Sequence, residues 1–214
     1  MNSMICHGDK WVKVAQKARK FVTLNSLSNF IKLSHNFTHH IQIEEDYLFR
    51  MNKTEKKWLR KYIECLDEVS ISQYMDLTIF ASKDQTTKDT LIHSVAKAIL
   101  FYHQRFRKLI LGEHLKVKNF RTLPVNIGEF GIGVGGLKHP NYWEGNKLDK
   151  SAQDVGIRGL LEALRKFKEI DNEKYLDATI WTVGPKYDIF GLFHSEGVNK
   201  AAITQIKKFL KEQI

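Results

Sequence analysis

The sequence predicts an α+β protein, with a helical N-terminal third followed by a mixed, largely antiparallel sheet with packed helices. Two observations carry that expectation. Apolar residues recur at helical spacing in two stretches of residues 1–70, and the β-rich runs that follow are too unevenly interleaved with helices for regular βαβ winding.

The first helix is expected around Trp11, Val14, Ala15, Ala18, Phe21 and Val22, with Lys10, Lys13, Lys17, Arg19 and Lys20 on its other faces. Such a basic amphipathic helix suits a nucleic-acid or membrane surface, or packing on its own domain. Residues 34–40 lack a period and read as a loop or short helix. Asn52 with Glu55 forms a capping-box pattern ahead of Trp58, Leu59, Tyr62, Ile63 and Leu66, so a second helix is expected to end near Glu68.

Tyr74–Ala81 is rich in β-formers and reads as the first strand. Thr86 with Asp89 marks a helix start, and Ile92, Val95, Ala96, Ile99, His103, Phe106 and Ile110 trace the face of a long helix that Gly112 terminates. Thr122–Gly128 and Glu129–Gly135 read as two strands in a hairpin, and residues 136–150 as a loop. Ser151 with Asp154 caps a further helix, Ala178–Val183 and Tyr187–Phe193 read as strands, and a helix bearing Ile203, Ile206, Phe209 and Leu210 closes the chain. Residues 1–70 are expected to form a helical N-terminal region and 71–214 an α+β domain, with the boundary in Asp67–Tyr74.

Apolar residues make up 43% of the chain and charged residues 27%, a balance that supports a folded core. No apolar run is long enough to span a bilayer, no secretory signal is visible, and Cys6 and Cys65 read as thiols in a reducing compartment. An intracellular protein, cytoplasmic or nucleoid-associated, is expected.

The net charge is +10. Residues 86–150 hold 11 Lys/Arg against 5 Asp/Glu, while residues 151–214 hold 10 against 9. A concentrated excess of cations attracts phosphate through counterion release. The expected nucleic-acid contacts are Lys97, Arg105, Arg107, Lys108, Lys116, Lys118 and Arg121, supplemented by Lys138, Tyr142, Trp143 and Lys147 in the following loop, where an exposed ring stacks on an unpaired base. DNA or RNA is the expected partner, with a protein partner as the alternative: an inhibitor or assembly component that uses its charge for steering.

Other patterns point to less. Gly131, Gly133 and Gly136 satisfy G-x-G-x-x-G, but Leu137-Lys138-His139-Pro140 follows where a dinucleotide site needs a helix start. His35, His39 and His40, with Glu44, Glu45 and Cys6 in reach, lack the spacing of a zinc motif, so no metal site is assigned. Catalysis on nucleic acid would fall to Glu129 and His139, with Asp76, Tyr187 and Asp188 as further candidates. A divalent metal is implied only if the protein is a nuclease, and no other cofactor is suggested.

The run through Leu77-Thr78, the basic stretch Arg105-Phe106-Arg107-Lys108-Leu109-Ile110-Leu111-Gly112 and the strand reaching Glu129 resemble the start of rolling-circle replication initiators. That resemblance implies a DNA-nicking enzyme with a tyrosine nucleophile and a metal held by a His-hydrophobic-His pair. This chain has His139-Pro140-Asn141 at the place of that pair, and the likeness covers only part of the sequence.

Overall fold

The structure is a computed structural model that describes residues 7–38, 51–82, 87–133, 135–140, 149–170, 178–180, 193–194 and 197–212. In chain order the elements are α1 (Gly8–Leu24), β1 (Ser34–Phe37), α2 (Lys53–Ile63), β2 (Glu68–Ser72) and α3 (Lys88–Arg105). A π-helix (Phe106–His114) continues α3, and β3 (Val125–Phe130), α4 (Lys150–Ile170), β4 (Ala178–Ile180), β5 (Phe193–His194), β6 (Gly197–Val198) and α5 (Lys200–Lys211) follow.

The main sheet overturns the antiparallel expectation. Its strands are bonded in the order β1-β2-β3-β4, and all four run parallel. β1 pairs with β2 from Ser34↔Glu68 to Phe37↔Ile71, and β3 pairs with β4 through Ile127↔Ala178 and Phe130↔Ile180. A helix lies between each strand and the next, and a crossover of that length returns the chain to the same end of the sheet. The α+β mixture of helices and sheet stands, but two of the strands lie in the supposedly helical first third. Among the described residues, antiparallel pairing is confined to β5 with β6 and an isolated bridge between Gly135 and His139.

Several boundaries move for local reasons. The first long β-rich run, Tyr74–Ala81, is a turn region: Asp76 Oδ1 accepts from Thr78 N at 2.7 Å and Thr78 Oγ1 at 2.6 Å, which bends the backbone out of the sheet. The strand is the preceding Glu68–Ser72, whose Val69 and Ile71 are buried. The predicted hairpin over residues 122–135 is the single strand β3. The loop-like Ser34–Phe37 is β1. The second helix stops at Ile63, because Glu64 to Asp67 must turn the chain into β2. Its capping box forms as expected, with Asn52 Oδ1 accepting from Thr54 N and Glu55 N while Glu55 Oε2 accepts from Asn52 N. Gly112 lies inside the π-helix, where a Cβ would come within 3.0 Å of Phe120; the helix runs on to His114, and Lys116, just past it, takes a left-handed φ of 55°. Asp149, rather than Ser151, caps α4 by accepting from Ala152 N at 2.9 Å. The Thr86 cap and residues 181–192 lie outside the described residues.

The chain divides into two compact units. Unit 1 comprises Met1–Ile71 and His103–Asn126, and unit 2 comprises Ser72–Tyr102 and Ile127–Ile214. In unit 1, α1 packs on α2, and Val12, Leu59, Ile63, Val69, Phe106 and Leu111 belong to one buried core. The packing is close, because a Cβ at Gly8 would sit 2.6 Å from Trp58 Cε3. Unit 2 has its own core, including Ile92, Val95, Ile127, Phe130, Leu160 and Phe167. There Gly159 lets α4 lie against α3; a Cβ at that position would run into the Val95 side chain.

Candidate nucleic-acid interface

Charge is distributed unevenly between the two units. Unit 1 holds 18 Lys/Arg against 9 Asp/Glu, a net of +9, whereas unit 2 holds 16 against 15, a net of +1. Cutting the sequence into consecutive segments hides this partition, because unit 1 joins the lysine-rich first third to residues 103–126.

The predicted cations do not share one environment. Lys108, Lys116, Lys118 and Arg121 are exposed in unit 1, and none of them is ion-paired among the described residues. Lys116 reaches its position through the left-handed backbone just past the π-helix, and Lys118 N donates to Glu64 Oε1 at 3.3 Å. The Arg121 guanidinium lies 5.5 Å from the Phe120 ring centroid, the same ring that packs at Gly112. Arg105 is half-buried.

Arg107 has a different role. It is buried, and its Nη1 donates to Arg121 O and Leu123 O, each at 3.0 Å. This guanidinium fastens the segment after the π-helix to the helix itself and so supports the exposed cations without joining them. Lys97 and Lys138 are exposed in unit 2. Tyr142, Trp143 and Lys147 lie outside the described residues.

The catalytic candidates are also dispersed. β3 has a register irregularity between Ile127 and Phe130, a feature that re-aims side chains at a strand end. There Glu129 Oε2 accepts from Ser72 Oγ at 3.1 Å, and Glu129 O accepts from Gln73 N at 2.8 Å. His139 is exposed in the turn after β3, its N–H directed at Gly135 O at 3.4 Å, and no hydrogen bond joins it to Glu129. Asp76 is engaged with Thr78. Tyr187 and Asp188 lie outside the described residues.

His35 sits in an aromatic cluster rather than a ligand set. Its Nδ1 lies 3.2 Å from the Tyr62 hydroxyl, its ring meets Phe37 edge-on, and burial holds its pKa below the ordinary value of 6.5. His39, His40, Glu44, Glu45 and Cys6 lie outside the described residues. Among the described residues, no group of three or more His, Cys, Asp or Glu side chains is gathered to hold a metal ion. Of the three motif glycines, Gly131 and Gly133 are buried and Gly136 takes a φ of 63° in a turn. The next helix, α4, starts at Lys150 and carries the Asp149 carboxylate where a phosphate would bind.

The sequence reading missed two features of these surfaces. One is the charge partition, which needs the fold to be seen. The other is Ser72 and Gln73 beside Glu129, which the alternation Glu68-Val69-Ser70-Ile71-Ser72 signals once it is read as a strand.

The chain matches no known protein-family model, no curated protein and no solved structure. Among the described residues no helix is long and apolar enough to cross a membrane.

Proposed function

We propose that the protein binds nucleic acid chiefly through phosphate contacts made by unit 1. The observation that carries this reading is the +9 charge of that unit beside the +1 of the other. A cation that is exposed and lacks a carboxylate partner keeps its counterion atmosphere available for exchange with a polyanion. Lys108, Lys116, Lys118 and Arg121 meet that description, on a scaffold held by Arg107.

The test is fluorescence anisotropy with a labelled oligonucleotide across a salt series. Log affinity falls linearly with log salt concentration, and K118E/R121E lowers the steepness by roughly 0.7–0.9 for each phosphate no longer neutralised. Binding that ignores salt, or no binding at low salt, removes the proposal.

A further inference from the structure

We infer that the outer side of α1 is a stacking surface for single-stranded nucleic acid, an inference that rests on the phosphate-binding reading above. α1 buries Val12, Ala15 and Val22, which accounts for only part of its apolar side. Trp11, Phe21 and Leu24 remain 40%, 60% and 72% exposed, and Phe30, just beyond the helix, is 84% exposed. A single exposed apolar residue needs no explanation, but several large ones along one short stretch mark an interaction surface.

The charges beside these rings indicate what covers them. Lys10, Lys17 and Lys20 have no carboxylate partner among the described residues, while Lys13 lies 3.7 Å from Asp9. At 3.6 residues per turn, Lys10, Lys17 and Phe21 fall within about 40° of one another around the axis, with Leu24 and Val14 about 20° to either side. Ammonium groups and apolar side chains are therefore interleaved on one side of the helix. A helix lying in a membrane interface separates them, with its cations opposite its apolar face. An unpaired strand needs the interleaved pattern, because each nucleotide presents a base face to a ring and a phosphate to a cation. A duplex keeps its base faces stacked inside and has nothing to offer Trp11 or Phe21.

The spacing is compatible with such a strand. Trp11 and Phe21 are ten residues apart, about 15 Å along a helix and about 80° around its axis, so Trp11 stands at the edge of the face, with its ring edge-on to Tyr62 at 6.5 Å and its remaining surface open. That length spans roughly four nucleotides at the 3.4 Å rise of stacked bases.

The test compares full-length protein with W11A/F21A. Both residues are exposed, and circular dichroism first confirms that the variant is folded. Binding is measured to a 20-mer of deoxythymidine, to a duplex of equal length, and to vesicles of mixed phosphatidylserine and phosphatidylcholine. The expected result is tighter binding to the 20-mer than to the duplex, an at least ten-fold loss for the 20-mer in W11A/F21A, and unchanged duplex binding.

Equal affinity for strand and duplex, both indifferent to W11A/F21A, overturns this inference and leaves the phosphate reading standing. Failure to bind either oligonucleotide removes both. Binding to vesicles but not to the 20-mer assigns the face to lipid and overturns the inference. So does a Trp11 emission component, isolated by difference from W11F, that acrylamide cannot quench, because the face is then covered by the protein itself.

Discussion

Arg19 and Asp67 join three parts of unit 1 through one ion pair. Arg19 Nη1 lies 2.8 Å from Asp67 Oδ1, while Asp67 Oδ2 accepts from Leu33 N at 2.7 Å. The same guanidinium donates through Nε and Nη2 to Cys65 O at 3.1 and 2.8 Å. Helix α1, the residue before β1 and the turn into β2 are therefore held at one point. Burial pushes the Asp67 carboxyl up, but the Arg19 hydrogen bond, the Leu33 N–H and the charges of Arg19 and Lys32 outweigh it, leaving the group below its ordinary 3.8.

Asp67→Asn is expected to cost about 1.5–3 kcal/mol at neutral pH, the usual range for losing a hydrogen bond to a charged group. The pH dependence has a definite sign. A depressed folded-state pKa gives stability that is fully present above 3.8 and is lost as pH falls through the folded value. Urea denaturation at pH 7 and pH 3 should show a smaller difference between variant and parent at the lower pH. An equal difference at both would mean that the carboxylate charge is not what holds this point.

His35 acts in the opposite range of pH. Burial disfavours its charged form, so the folded state takes up a proton only below 6.5 while the unfolded chain does so at that value. Between the two, the unfolded state holds more protons, and stability falls as pH is lowered through 6.5 and on through the folded pKa. His35→Phe should flatten stability over that interval. The measurement is the denaturation midpoint from pH 7.5 to pH 5, and a parallel decline in parent and variant would assign the effect to another group.

The extent to which the fold was legible follows from how far each element depends on its own residues. The capping box at Asn52 and Glu55 and the helix α5 are local, and both form where the spacing places them, α5 packing through Ile203, Ile206 and Phe209 while Leu210 stays exposed. β1 and β2 depend on each other: Ser34-His35-Asn36-Phe37 has little strand character until it pairs with Glu68–Ser72. Tyr74–Ala81 has the better strand composition, yet Asp76 and Thr78 commit it to a turn. The candidate interface was legible as a set of cations but not as a surface. Arg107 and Lys108 are neighbours of one charge, and the wider i→i+5 winding of the π-helix shifts the buried face away from its α-helical course, so that Arg107 is taken inside.

That difference predicts how the two residues separate in experiment. Arg107→Lys keeps the charge but replaces a planar fork with a single ammonium, which cannot reproduce the guanidinium's geometry toward both Arg121 O and Leu123 O. A loss of about 1–3 kcal/mol is expected from under-satisfied buried carbonyls. Lys108→Ala removes an exposed charge and should leave stability within about 0.5 kcal/mol while weakening oligonucleotide binding. Thermal melts and anisotropy on both variants check the pair, and a stable R107K would show that the segment after the π-helix does not depend on this guanidinium.

Gln73 offers a test of the sheet's carboxyl end. Its backbone N–H bonds Glu129 O, but its side chain is fully buried and neither amide atom has a hydrogen-bond partner among the described residues. Burying an unpaired amide costs about 1–3 kcal/mol, more than a hydrogen bond of the same group ordinarily returns. Gln73→Met preserves length and volume while removing both polar atoms, and it should raise stability by about that amount. Urea denaturation is the measurement, with the slope against denaturant compared to confirm that the compactness of the two states is unchanged. A destabilised Q73M would show that the amide contributes more at this site than its unpaired atoms cost.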